Sequence, residues 1–203
     1  MDLREFPAVL PLHFFEVELE FKRNQKPKLI PDFSEFLEET SFSEVSVAFL
    51  DGGIQIHLKV FKAFEKASFP DVEKGDGFEF FIDTRGTKEA LSLHKYCHHF
   101  VFLPKEVDGI QGVEVTRFKT NDKRELATKE HLKVTPQFAK GSYTLEIFIQ
   151  DTALYGYDPM EYPNLKIASI THLGSKEPNH FPKQGYDLPF KDHPSLWANI
   201  KLS

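Results

Sequence analysis

The residues best equipped for chemistry fall between Asp83 and His99. Asp83 and Arg85 are followed by His94, Cys97, His98 and His99. A carboxylate beside an imidazole orients the ring and favours its charged form. If residues 78–83 and 97–103 pair as antiparallel strands, the end of the first lies beside the start of the second. Asp83 and Arg85 then fall near His98 or His99. Two readings follow: a polar ligand site at the sheet end, or an ion pair in which Arg85 fixes the connection between the strands. His94, Cys97 and His98 also carry zinc-type ligand atoms. No second pair at metal-finger spacing accompanies them, and alternation sends Cys97 and His98 to opposite faces of a strand. A lone cysteine in a Phe-rich strand reads as a small buried apolar residue. No metal site and no cofactor are expected.

Catalytic constellations are absent from the sequence. A Cys97 nucleophile needs a convergent histidine, which adjacent strand residues do not supply. No G-x-S-x-G elbow and no H-E-x-x-H motif occurs. Glu79 and Asp83 share a strand face with Cα atoms ~13 Å apart at ~3.3 Å per residue. That exceeds the ~6.5–9.5 Å between the carboxyl groups of inverting glycosidases. A non-catalytic protein is preferred over an enzyme, and no catalytic residue is assigned. Tyr155, Tyr157 and Tyr162 cluster with Asp158 and Glu161. Such rings suit sugar or protein contact, or they pack over the end of the fold.

The elements that must hold these residues read as strands. Phe14 to Phe21 alternates Phe and Leu with Glu, followed by a polar connection over 22–28. Residues 32–40 fit a short helix or a turn. Val45 to Phe49 and Ile54 to Val60 alternate on either side of Asp51-Gly52-Gly53, which is hairpin chemistry. Further strands are expected at 78–83, at 97–103 with a stop at Pro104, and at 112–118, 131–135, 143–149, 165–173 and 196–202. No long helical stripe and no repeat appears. Nine or ten strands with hairpin connections predict an all-β antiparallel sandwich with little helix, one domain spanning 1–203. In the last strand Trp197 alternates with the aliphatic set, beside Asn199 and Lys201. It is the only Trp, and it is offered either for stacking on a ligand or for packing.

Composition narrows the partners. Lys+Arg is 25 and Asp+Glu is 31, a net charge of −6. That argues against electrostatic nucleic-acid binding. One cysteine excludes an internal disulfide framework. No secretory signal or apolar run of membrane-spanning length is visible, so the default expectation is a cytoplasmic protein without membrane contact. The chain is rich in Phe, with 21 against 6 Tyr.

The run Asp76-Gly77-Phe78-Glu79-Phe80-Phe81-Ile82-Asp83-Thr84-Arg85 resembles the central strand of DOMON-like domains related to family-9 carbohydrate-binding modules. Cys97-His98-His99-Phe100, Leu103-Pro104, Tyr143 to Glu146, Ala153 to Pro159 and Pro194 to Ala198 resemble bacterial proteins of that superfamily that have no assigned activity. The resemblance runs from about Phe14 to the end. It implies a sandwich whose sheet face or rim holds a ligand, in some members a sugar stacked on aromatic rings. The single Trp departs from a two-tryptophan clamp. Haem ligation, found in some DOMON domains, is disfavoured because Met1 and Met160 are the only methionines. The expected function is a non-catalytic module that binds a carbohydrate or similar polyhydroxylated ligand. The expected site comprises Asp83, Arg85, His98, His99, Tyr155, Tyr157 and Trp197. The alternative is a protein-interaction or structural domain with no small ligand.

Overall fold

The alternating stretch from Val45 to Val60 folds as the pattern dictates. In a computed structural model, which describes residues 17–32, 34, 40–87, 90–174, 176–182 and 190–203, it forms two paired strands joined at Asp51-Gly52. Gly53 follows with φ +137, and a Cβ there would stand 2.1 Å from the Ile149 carbonyl oxygen. Only glycine accepts both conditions.

Twelve strands are described: β1 (Glu18–Phe21), β2 (Lys28–Leu29), β3 (Ser43–Leu50), β4 (Gly53–Val60), β5 (Gly77–Asp83) and β6 (Cys97–Val107), then β7 (Ile110–Glu114), β8 (Leu132–Ala139), β9 (Ser142–Gln150), β10 (Asn164–His172), β11 (Asn179–Phe181) and β12 (Ala198–Leu202). They make two sheets. One has five strands in the order β2-β3-β4-β9-β8. The other has seven, in the order β1-β12-β10-β5-β6-β7, with β11 also pairing β10. Helix appears among the described elements as three-residue 3-10 turns. The protein is an all-β sandwich.

Between the sheets lies the main core. Phe78, Phe80, Ile82, Phe100 and Phe102 from one sheet meet Val47, Phe49, Ile56, Leu58, Leu145 and Ile147 from the other. The five-stranded sheet turns Gln55, His57, Lys59 and Glu146 outward, where they are exposed or half-buried, as a one-sided sheet should. The seven-stranded sheet differs. All seven residues of β5 are buried. Its outer face carries Phe81, Ala168 and Ile170, and these pack under Leu93, Phe190 and Trp197. A second layer, from the connection before β6 and the segment before β12, therefore covers part of that face.

Several expectations need correction. Pro104 does not stop the strand, because β6 runs on to Val107. Pro104 sits where the β6–β7 register is irregular, past the β5 ladder, which ends at Phe102. Its missing amide therefore costs no ladder bond. Similarly, Pro136 lies inside β8, an edge strand. The strand expected at 112–118 is β7, over Ile110–Glu114, and the strand expected from Leu196 starts at Ala198 after a 3-10 turn. The sandwich is not wholly antiparallel, since β1 and β12 run parallel. The strand expected over 14–21 is described from Glu18 onward. The helix or turn expected at 32–40 lies largely outside the described residues.

Candidate functional site

Four polar side chains meet on the outer face of the seven-stranded sheet, beside the covering layer. Glu79 projects outward from the middle of β5 because Phe78 and Phe80 take the core side. His99 projects from β6 and His172 from β10, each diagonal to Glu79 in the ladder. His99 Nε2 is 2.6 Å from Glu79 Oε2, and His172 Nε2 is 2.6 Å from Oε1. Lys191 Nζ, from the covering segment, is also 2.6 Å from Oε1. A carboxylate only accepts, so both imidazole Nε2 atoms donate N–H here.

Glu79 is 2% exposed. Burial pushes its carboxyl pKa up. The hydrogen bonds from His172 and His99 and the charge of Lys191 outweigh that, and they hold it well below the usual carboxylate range. The His99 ring is fixed from below, stacked on Phe81 at 4.2 Å between centroids. Phe81 is in turn braced edge-on by Phe190.

Glu79, His99 and Lys191 line a groove of about 550 Å³, together with Phe69, Val101, Phe190 and His180 and with Arg117 and Asp192, and buried His172 supports Glu79 from outside that lining. The volume falls within the ~300–1,000 Å³ typical of small-ligand sites. A carboxylate has about four lone-pair positions, and the three N–H donors fill three. Glu79 can therefore accept one further hydrogen bond from a ligand hydroxyl. Lys191 and Arg117 can donate to ligand oxygens, and the half-buried Phe69 offers apolar surface.

The residues expected from the sequence divide among different places. His99 is in the groove. His98 is not. It faces the inner side, fully buried, stacked on Phe100. Arg124 Nη2 lies 2.6 Å from His98 Nδ1. Glu114 Oε1 also lies 3.1 Å from His98 Nδ1, and the other ring nitrogen, Nε2, lies 3.4 Å from the Tyr155 carbonyl. Arg124 also grips both oxygens of buried Glu114. Burial pushes Glu114 up, but His98 and Arg124 outweigh it and hold the carboxyl at about 2.

Asp83 does not meet His98 or His99. Its register partner on β6 is Cys97, and its carboxylate accepts the amides of Arg85 and Thr87 at 2.9 and 2.8 Å. Its other neighbour is His94, with Nε2 3.6 Å from Oδ2. The Arg85 side chain turns to the rings of Tyr162 and Tyr96, 3.3 and 5.1 Å from their centroids. Tyr96 stacks on Tyr155, which is 47% exposed. This aromatic rim at the sheet end is separate from the groove. Tyr157 packs against the core and gives its hydroxyl to the Leu50 carbonyl. Trp197 is 3% exposed, and its Nε1 donates to the Phe190 carbonyl at 3.0 Å. Its indole lies under the covering segment and shows no face to solvent.

Glu79, His172 and Lys191 were not assigned from the sequence. The available signal was a charged Glu79 within the apolar run of β5. Its partners lie 93 and 112 residues further along the chain, and no local pattern marks them.

Solved structures share this architecture. A family-9 carbohydrate-binding module from Caldicellulosiruptor kristjanssonii, in complex with cellotriose, superposes with a TM-score of 0.64 at 12% identity, over 92% of this chain and 93% of that one. A complex of such a module from the same organism with glucose gives 0.61 at 12% identity over 92% and 95%. A candidate carbohydrate-binding protein from Bacteroides uniformis gives 0.55 at 11% identity over 92% and 99%. No protein-family model and no curated protein matches the chain. The fold is thus that of the family-9 carbohydrate-binding modules. Among the described residues, no helix is long and apolar enough to cross a membrane.

Proposed function

We propose that the protein is a non-catalytic carbohydrate-binding module, and that its ligand lies in the groove over Glu79. One observation carries this reading. A buried carboxylate, kept ionised by three N–H donors, lines an open groove beside the half-buried ring of Phe69 and the side chains of Lys191 and Arg117. Sugars present hydroxyls that donate to such an oxygen and apolar ring faces that rest on aromatic carbon. Lys191, 47% exposed at its side chain, reaches both Glu79 and the groove, and Arg117 stands beside it at the rim. The likeness of fold to modules solved with glucose and cellotriose supports the choice of sugar class.

Calorimetric titration with glucose and cello-oligosaccharides, extended by a glycan array, tests the reading. Binding that falls at least tenfold in Lys191→Ala and in Glu79→Gln is the expected result. Lys191→Ala alters a half-exposed side chain and leaves the His99 and His172 donors on Glu79, and a thermal melt of the variant checks that it is folded. Absence of binding to any glycan, or binding untouched by both substitutions, would overturn it.

A further inference from the structure

We propose that Asp83, His94 and Cys97 form a zinc site at the end of the seven-stranded sheet, separate from the groove. His98 would not be a ligand, because it points to the opposite face. Asp83 comes in its place from the neighbouring strand, as the cross-strand partner of Cys97.

The backbone builds the arrangement. His94 and Cys97 flank a tight turn closed by the Cys97 amide on the His94 carbonyl at 2.8 Å. The Thr84 amide on the Tyr96 carbonyl at 3.0 Å ties that turn to the end of β5. Asp83 is then held by the two amides of Arg85 and Thr87. As a result, a carboxylate oxygen, an imidazole nitrogen and the thiol sulfur all lie within 4.8 Å of one another.

Three further observations point to a metal. First, the 3.6 Å between Asp83 Oδ2 and His94 Nε2 is too long for a hydrogen bond. It is close to the edge of a zinc tetrahedron, about 3.3–3.5 Å for metal–ligand bonds of ~2.0–2.2 Å. Second, His94 Nε2 is buried with no hydrogen-bond partner among the described residues, although buried ring nitrogens are normally satisfied. Third, the donors are one thiolate, one imidazole and one carboxylate. That set suits zinc and not the oxygen-seeking calcium or magnesium.

Charge and protons balance. Binding releases the Cys97 thiol proton to solvent. His94 presents its Nε2 lone pair and carries its ring proton on Nδ1, giving up the 3.3 Å contact from the Tyr96 amide. Thiolate and carboxylate together neutralise the dication. Three protein ligands leave the fourth position to solvent or to another donor.

Cobalt(II) titration of the reduced full chain tests the site. The expected result is one equivalent bound, with tetrahedral d–d bands and a thiolate-to-cobalt charge-transfer band, both abolished by added zinc. Cys97 is the only cysteine, so a charge-transfer band assigns itself to this site. His94→Ala, a change at a partly exposed side chain, should weaken cobalt binding at least tenfold. Stoichiometric zinc should raise the thermal midpoint of the wild type and not that of His94→Ala. A folded wild-type chain with no charge-transfer band would overturn the proposal, as would equal cobalt affinity in His94→Ala. Neither outcome bears on sugar binding over Glu79.

Discussion

Glu79 on β5 and His172 on β10 share a 2.6 Å hydrogen bond across adjacent strands, although 93 residues separate them in the chain. The contact ties the centre of the seven-stranded sheet to the lining of the groove. His99 and Lys191 bind the same carboxylate, so one side chain couples β5, β6, β10 and the covering segment.

That coupling makes stability depend on acid. The Glu79 carboxyl is held well below its ordinary range in the folded chain. Its contribution is present above the unfolded value of ~4.3. It is lost as pH falls below that towards the folded value, because the unfolded chain binds the proton first. Glu79→Gln removes the charge that three donors share. It should cost about 2 kcal/mol near neutrality and flatten the fall in stability below pH ~4.3. Urea midpoints across pH 3 to 7 measure both, and parallel curves for the two proteins would contradict the assignment.

Arg124 anchors the connection between β7 and β8. It donates to Glu114, to His98, and to the carbonyls of Lys95 and Cys97. Arg124→Ala leaves a buried carboxylate without its cation, an arrangement that costs about 3–5 kcal/mol. Lysine cannot reproduce the planar fork, so Arg124→Lys should recover less than half of the loss. Glu114, held at about 2, should titrate upward in both variants. Carboxyl chemical shifts followed against pH check the titration, and denaturant melts check the energies.

The sequence reveals the strands, including the doubly covered β5 and β10, and hides what covers them. The β3–β4 hairpin was legible because Val45, Val47 and Phe49 alternate with small or polar residues up to an Asp-Gly turn. The β5–β6 pairing was legible from strand ends alone, but the residue it sets opposite Asp83 is Cys97 and not the His98 or His99 expected. What sits above that sheet was not legible. Phe81, Ala168 and Ile170 occupy outward positions, and their partners Leu93, Phe190 and Trp197 come from connections without periodicity. The groove was missed for the same reason. His99 was identified, but Lys191 belongs to the covering layer and His172 to a strand that reaches β5 only in the folded sheet.

Gly156 bears on the aromatic rim. Its φ is +78, and a Cβ there would stand 2.5 Å from the Tyr96 ring. Gly156→Ala must therefore displace Tyr96, which stacks on Tyr155 and lies beneath the Arg85 guanidinium. The expected loss is about 1–3 kcal/mol from backbone strain alone. A thermal melt within experimental error of the wild type would show that the loop relaxes without cost.

Trp197 provides an optical reporter of the covering layer. Alternation does place it on the outer face of β12's sheet, opposite Ala198 and Ile200, as the sequence implied. That face is closed there: the indole packs on Phe81 at 5.6 Å and donates to the Phe190 carbonyl. Because it is the only Trp, intrinsic fluorescence reads this position alone. Emission should be blue-shifted and resist acrylamide. Trp197→Ala should cost about 3–5 kcal/mol, as other large buried aromatics do. Trp197→Phe keeps most of the volume but removes the indole donor, leaving the Phe190 carbonyl with the 3.4 Å contact from the His193 amide, a loss of about 0.5–1.5 kcal/mol. Phe190 and Lys191 line the groove, so a ligand seated over Glu79 should shift the emission without quenching it by direct ring stacking. Red-shifted emission quenched by acrylamide in the folded protein would mean that the indole is open to solvent and that the covering layer does not close over it.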